Sequence, residues 1–321
     1  MANIVFVGIG GVGGYFGGKM TQLLKDGNDT DKVFFIARGK HLAAIKESGL
    51  VLKTEKDGIL TCTPTLATDD IEGLPPIDIC FVCVKQYDLE AVIRKLESKI
   101  CADTKIIPLL NGIDIYQRIR RVTDRGIVFP ACVYVGTHIE APGIVHQSGG
   151  ACTIIFGKDP LHTDAGADDI CRLMDAVGIK YSWSETYREE IWSKYMFIAA
   201  YGLVTATEKR SLGEVFENQE LGEKVKNIMA EIRTLSLAEG IHLPEDIVQT
   251  CFSRACNFPY EARTSLQRDV ESAAAYDERE LFGQTIIDLG KKYGIQTPET
   301  EEVYRKLNNI SVGKELSFAK L

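Results

Sequence analysis

The sequence predicts an α/β protein: a doubly wound parallel sheet over residues 1–185, followed by an all-α domain over 186–321. Three observations predict it. Short, solidly apolar runs alternate with helical stretches through the first half. A glycine-rich turn joins the first of these runs to the first helix. Beyond Tyr187 nearly every segment carries helical periodicity.

The apolar runs are "NIVFVG" (3–8), "KVFFIA" (32–37), "DICFVCVK" (78–85), "KIIPLL" (105–110) and "GIVFPA" (126–131), each bounded by turn residues. Continuous rather than alternating hydrophobicity suits strands covered on both faces. Between them "YFGGKMTQLLKDG" and "DLEAVIRKLESKI" read as helices, the second placing Ala91, Val92, Leu96 and Ile100 on one side. Strands alternating with helices imply a parallel sheet. "VLKTEKDGILTCTPTLA", "GIVHQSGG" and "CTIIFG" read as additional strands or hairpins at its edge. After "KYSWSE" (180–185) the helical segments begin, with Gly240, Gly294 and Pro298 as helix stops.

Composition narrows the function classes. Of 321 residues, 45% are hydrophobic and 26% charged, and the formal net charge is -8, which argues against a nucleic-acid or anionic-membrane surface. No apolar stretch approaches the roughly 20 residues needed to cross a bilayer. "MANIVFVGIG" enters a strand without a basic leader or cleavage site, so no signal peptide is expected and the cytoplasm is the expected compartment. Cys80 and Cys83 form a C-x-x-C inside a strand, where residues three apart face opposite ways and neither chelate a metal nor close a disulfide. The five histidines show no metal-ligand spacing, and no metal is expected. Exposed helices in the second domain are compatible with a homodimer, but no stripe is apolar enough to demand one.

The glycine-rich start, "VFVGIGGVGGYFGGKM", places Gly8-x-Gly10-x-x-Gly13 directly after a strand and at the opening of a helix. In a Rossmann-type dinucleotide fold the first glycine allows a tight turn and the second lets the backbone approach a pyrophosphate. The third allows close helix–strand packing, with the helix N-terminus facing the anion. Gly8, Ile9, Gly10, Gly11, Val12 and Gly13 are therefore the candidate phosphate loop. The second strand ends in Arg38, with Lys40 and His41 nearby, where an NAD site carries an acid. An arginine there accommodates a 2′-phosphate, so NADPH is the expected cofactor.

"EEIWSKYMFIAAYG" raises a different question, because Lys194 lies within what otherwise reads as a buried helix. An unpaired ammonium is expensive to remove from water.

Several segments together resemble the ketopantoate reductase (2-dehydropantoate 2-reductase) family: "GIGGVGGYFGG", "FFIARGKHLAAIKESGLVL", "DICFVCVKQYD", "PLLNGID", "EEIWSKYMFIAA", "TSLQRDVE" and "KKYGIQTPETEEVY". They run in the family's order from residue 3 to about 305. The resemblance implies reduction of 2-dehydropantoate to pantoate with NADPH, on the way to pantothenate. It assigns Arg38 to the 2′-phosphate, Lys85 to the cofactor cleft and Asn111 to a place between nicotinamide and substrate. Lys194 becomes the proton donor and Ser265 the group that binds the substrate carboxylate. Asp277 falls where the family has a glutamate contacting the cofactor, and is one methylene shorter. An ammonium suits the donor role: it stabilises the charge that grows on the carbonyl oxygen and then supplies the proton.

The chain also departs from the pattern. Ile198, Gly202 and Leu212 stand where the family carries asparagines that hydrogen-bond the keto acid and its hydroxyl. Losing such groups relaxes or redirects a hydroxyl preference. Two further readings therefore stay open: a reductase of a more apolar 2-keto acid or ketone, and a non-catalytic NADP-binding regulatory protein.

Overall fold

A computed structural model of the chain describes residues 2–24, 31–272 and 276–318, with side chains described as far as residue 310. Two compact units divide it, 1–187 and 188–321.

Unit 1 begins with β1 (Asn3–Val7), α1 (Gly11–Met20), β2 (Lys32–Ile36), α2 (Gly39–Ser48), β3 (Leu50–Thr54), β4 (Gly58–Cys62) and β5 (Leu66–Thr68). There follow β6 (Ile77–Val82), α3 (Gln86–Leu96), β7 (Ile100–Pro108), α4 (Ile115–Arg120) and β8 (Ile127–Val128). It closes with β9 (Ala131–Tyr134), β10 (Thr137–Ala141), β11 (Ile144–Gln147), β12 (Thr153–Phe156), α5 (Asp168–Ala176) and β13 (Lys180–Trp183).

Six strands form a sheet in the order β5-β2-β1-β6-β7-β8, and every neighbouring pair is parallel. This is the doubly wound arrangement, in which the chain leaves β1 in one direction and, after β5, returns to its other side at β6. The solid hydrophobic runs follow from burial on both faces. Phe6, Phe35 and Phe81 point into one core, where Phe6 and Phe81 stack at 4.5 Å. Val5, Val7, Phe34, Cys80 and Val82 point into the other. Cys80 and Cys83 accordingly serve opposite layers, and burial pushes the Cys80 thiol up to about 12. All nine cysteines are free thiols.

The extra strands do not extend this sheet's edge as the sequence suggested. Only β5 does so. The others build two small sheets, ordered β10-β11-β3-β4 and β13-β12-β9. Helix α1 lies between the first of these and the main sheet, which accounts for its glycine content. A Cβ on Gly14 would meet Val145 Cγ2 at 2.6 Å, and one on Gly17 would meet Phe35 at 3.0 Å. Two sheets can approach one helix this closely only where side chains are missing. On α3 the buried face is Leu89, Ile93 and Leu96, while Ala91 is exposed, a rotation of the face expected from periodicity.

Unit 2 contains α6 (Tyr187–Glu208), α7 (Leu212–Glu217), α8 (Gln219–Ala238), α9 (Ile247–Ser253), α10 (Ser265–Glu271), a π-helical turn (Glu280–Gln284), α11 (Thr285–Tyr293) and α12 (Pro298–Phe318). The 22-residue α6 is the central element, burying Tyr195 and Tyr201 completely. Their hydroxyls are satisfied by main-chain carbonyls, Tyr195 donating to Leu281 at 2.6 Å and Tyr201 to Phe252 at 2.9 Å. Gly294 ends α11 in the left-handed conformation, φ 66°. Pro298 starts a helix instead of stopping one, since the first helical position needs no N–H and favours proline's φ. No helix among the described residues is long and apolar enough to cross a membrane.

Candidate active site

The glycine loop leaves β1 at the point where the sheet order reverses. Gly8 has φ +93°, a conformation open to glycine, and a Cβ there would meet Val84 at 2.8 Å and the Cys83 main chain at 2.9 Å. A Cβ on Gly13 would fall on the Gly8 carbonyl oxygen, so α1 can start this close to β1 only with glycine. Gly10 differs: nothing lies within 4 Å of where its Cβ would be. The first glycine makes the turn, the third makes the packing, and the second faces open space. Ile9 points its side chain into the core, and Gly11 and Val12 form the head of α1.

Arg38, Lys85 and Asn111 follow the carboxyl ends of β2, β6 and β7, which with β1 are consecutive in the sheet. All four loops therefore open at one edge. Helix α1 has no acidic residue in its first turn, and its N-cap, Gly10, has no side-chain cap. Arg38 and Lys85 are themselves the N-caps of α2 and α3. Cations at the positive ends of helices are unfavourable unless an anion joins them. One anion is present: Arg38 Nη2 donates to Asp88 Oδ2 at 2.6 Å, Asp88 lying in the first turn of α3. The Arg38 side chain is still 74% exposed.

In unit 2, Lys194 is 9% exposed on α6. Residues four apart drift by only about 40° around a helix, so Ile198 and Gly202 continue its face. A Cβ on Gly202 would meet Phe282 at 3.7 Å and Leu266 at 3.8 Å, ordinary contact distances. The face beyond the lysine is thus walled by hydrocarbon. Thr205 does not compensate, because its hydroxyl is held by the Tyr201 carbonyl at 2.7 Å and the Thr264 hydroxyl at 2.8 Å. Thr264 caps α10, whose first residue is Ser265. Leu212 is buried in the first turn of α7. Asp277 is engaged by Arg279, whose Nε and Nη2 donate to its two oxygens at 2.8 and 2.6 Å. That pairing turns the carboxylate to its own chain, a use the spacing did not reveal.

The ketopantoate reductase PanE/ApbA family pattern matches residues 4–160, and the pattern of the same family's C-terminal region matches residues 186–311. The chain belongs to the ketopantoate reductase family. It is 27% identical over 312 residues to the uncharacterized oxidoreductase YkpB of Bacillus subtilis, covering 97% of this chain and all of that one. It is 25% identical over 304 residues to the 2-dehydropantoate 2-reductase of Streptococcus pyogenes serotype M18, covering 92% and 93% of the two chains. In fold it resembles a D-mandelate dehydrogenase solved with NADH and anilino(oxo)acetate, with a TM-score of 0.85, 19% identity, and 97% and 98% coverage.

Membership makes the protein an oxidoreductase acting on a ketone, and the non-catalytic reading is set aside. Within that frame, sequence reasoning missed Asp88, Arg279 and the Leu266–Phe282 wall. Arg279 is two residues from its partner and was in principle visible. The other contacts join distant segments and carry no local signal.

Proposed function

We propose that the protein reduces 2-dehydropantoate to pantoate with NADPH, unit 1 holding the dinucleotide and unit 2 the proton donor and substrate contacts. The observation that carries this reading is Lys194, a lysine 9% exposed in the middle of α6, at the family's donor position. The residues of unit 1 suit a dinucleotide: open space over Gly10, an uncapped helix start, and Arg38 exposed at the end of β2 for a 2′-phosphate. When bound, the nicotinamide supplies a hydride to the carbonyl carbon. Lys194 stabilises the developing oxyanion and gives it a proton, which yields the alcohol. Asn111 and Ser265 orient the keto acid, Ser265 through its carboxylate. Lys85 lines the cofactor cleft. Asp277 is a cofactor contact only if Arg279 shares it.

The second reading, a more apolar 2-keto acid, is favoured by one observation: Gly202 packs against Leu266 and Phe282 where an amide was expected. Oxidation of NADPH by purified protein separates the two. Turnover with ketopantoate supports the first reading. Turnover confined to other branched or aromatic 2-keto acids supports the second and removes the pantoate assignment.

Two expected results test the cofactor assignment. Arg38→Asp weakens NADPH by about ten- to a hundredfold, the worth of a charge-assisted hydrogen bond, and NADH far less; equal losses would contradict the 2′-phosphate role. Asp88→Asn tightens NADPH by no more than about fivefold, since the exposed pair it releases is weak. Separately, Gly10→Ala leaves the melting temperature near wild type, because no atom lies within 4 Å of the new Cβ, while titration shows cofactor binding weakened.

A further inference from the structure

Lys194, Phe197 and Tyr201 lie three and seven positions apart on α6, the spacing of one helix face. Its two neighbours on this stripe meet one stretch of unit 2, residues 251–258. The Phe197 ring stacks on Phe258 at 5.6 Å, and the Tyr201 hydroxyl donates to the Phe252 carbonyl at 2.9 Å. Ser193, buried beside Lys194 and one turn before Phe197, meets the same stretch. Its main-chain carbonyl accepts from Cys251 Sγ at 3.5 Å, and its hydroxyl accepts from Arg254 Nη2 at 2.8 Å. With consecutive Cα atoms about 3.8 Å apart, that places the guanidinium within about 9 Å of the Lys194 Cα. Arg254 opens a short 3-10 turn, Arg254–Asn257, and is half-buried. A guanidinium has five N–H donors and stays charged in proteins. Beyond Ser193, Arg254 makes no hydrogen bond or ion pair among the described residues. Its place at the C-terminal end of α9 suits a cation, but supplies no carboxylate to balance it.

Resting on the reading that Lys194 protonates the ketone of a 2-keto acid, we infer that Arg254 receives the substrate's carboxylate. In such a substrate the carboxylate is bonded directly to the ketone carbon, so the group that holds it stands close to the proton donor. Ser265, assigned to the same carboxylate, offers a hydroxyl and no charge. Arg254 adds the charge and a planar fork that matches carboxylate oxygens. Ser193 occupies one N–H of that fork and leaves the others for the ligand. The selectivity this creates is for an acid over its uncharged esters, whichever alkyl or aryl group follows the ketone.

Steady-state reduction by the full chain with NADPH provides the readout. The acids are ketopantoate, ketoisovalerate and benzoylformate; their uncharged counterparts are ketopantoyl lactone and the methyl esters of the other two. Arg254→Gln raises KM for the acids about ten- to hundredfold, the worth of charge-assisted hydrogen bonds. The same variant reduces the esters within about threefold of the wild-type kcat/KM. Arg254→Lys recovers part of the loss on the acids, because an ammonium keeps the charge without the fork. Comparing acid with ester in one preparation cancels any change in the folded fraction. Acids and esters losing equally in R254Q, or an unchanged KM for the acids, would overturn the inference. Wild-type protein that reduces none of these compounds overturns the reductase reading itself, and the inference falls with it.

Discussion

Lys194→Ala is expected to lower kcat by about two to four orders of magnitude, the range by which a positioned general acid accelerates a reaction. In the proposed donor role the ammonium acts on charge that develops only in the transition state, so the loss should fall on kcat more than on the KM for the nicotinamide cofactor. Folding should survive the change, because alanine is the best helix former. Stopped-flow measurement of NADPH oxidation at saturating keto acid provides the check. A rate within threefold of wild type would remove Lys194 from the mechanism and leave the apolar α6 face without a chemical role.

The largest expected effect on stability lies away from this chemistry. Asp159 is fully buried and holds together the segment after β12, α4 and β8. It accepts from Tyr116 Oη at 2.7 Å, Val128 N at 2.8 Å, Leu161 N at 2.9 Å, His162 Nδ1 at 2.8 Å and the Arg120 guanidinium. Burial alone would raise its pKa, but the donors from Leu161, Tyr116, His162 and Val128 outweigh burial and hold the carboxyl below its usual range. Asp159→Asn puts an NH2 among these donors and leaves Arg120, itself 9% exposed at its side chain, without its counter-charge. Breaking one side of a buried ion pair costs about 3–5 kcal/mol, measured as a lowered urea midpoint for unit 1. The pH dependence has a definite sign. A carboxyl whose folded pKa lies below its unfolded value of about 3.9 stabilises fully above that value. Its contribution is lost as pH falls through the folded pKa. Wild type should therefore lose stability in acid more steeply than D159N, and parallel acid titrations of the two would contradict the hub role.

Neither Lys194 nor Asp159 shows its surroundings in the sequence, and the reason differs. Lys194 is legible as an anomaly, a charge in an apolar helix, and helical geometry tells which residues share its face. What opposes that face is supplied by Leu266 and Phe282, more than sixty positions along, and no local pattern marks them. Asp159 is an unremarkable acid before a proline. Its importance comes from Tyr116, Arg120 and Val128, on elements some thirty to forty residues earlier. The same distinction separates Arg38, readable at the end of β2, from Asp88, which meets it across fifty residues.

By itself the sequence determined the alternation of strands and helices, the glycine turn and the packing role of Cys80 and Cys83. Each of these depends on the chemistry of neighbouring residues: double-sided burial, positive φ at Gly8, and the two-residue period of a strand. Tertiary structure alone decided that the extra strands form separate sheets, that Asp88 meets Arg38, and that Tyr116, Arg120 and Val128 converge on Asp159. Those outcomes depend on which distant backbone donors and side chains packing brings within about 3 Å, the reach of a hydrogen bond, and chain order does not encode that distance.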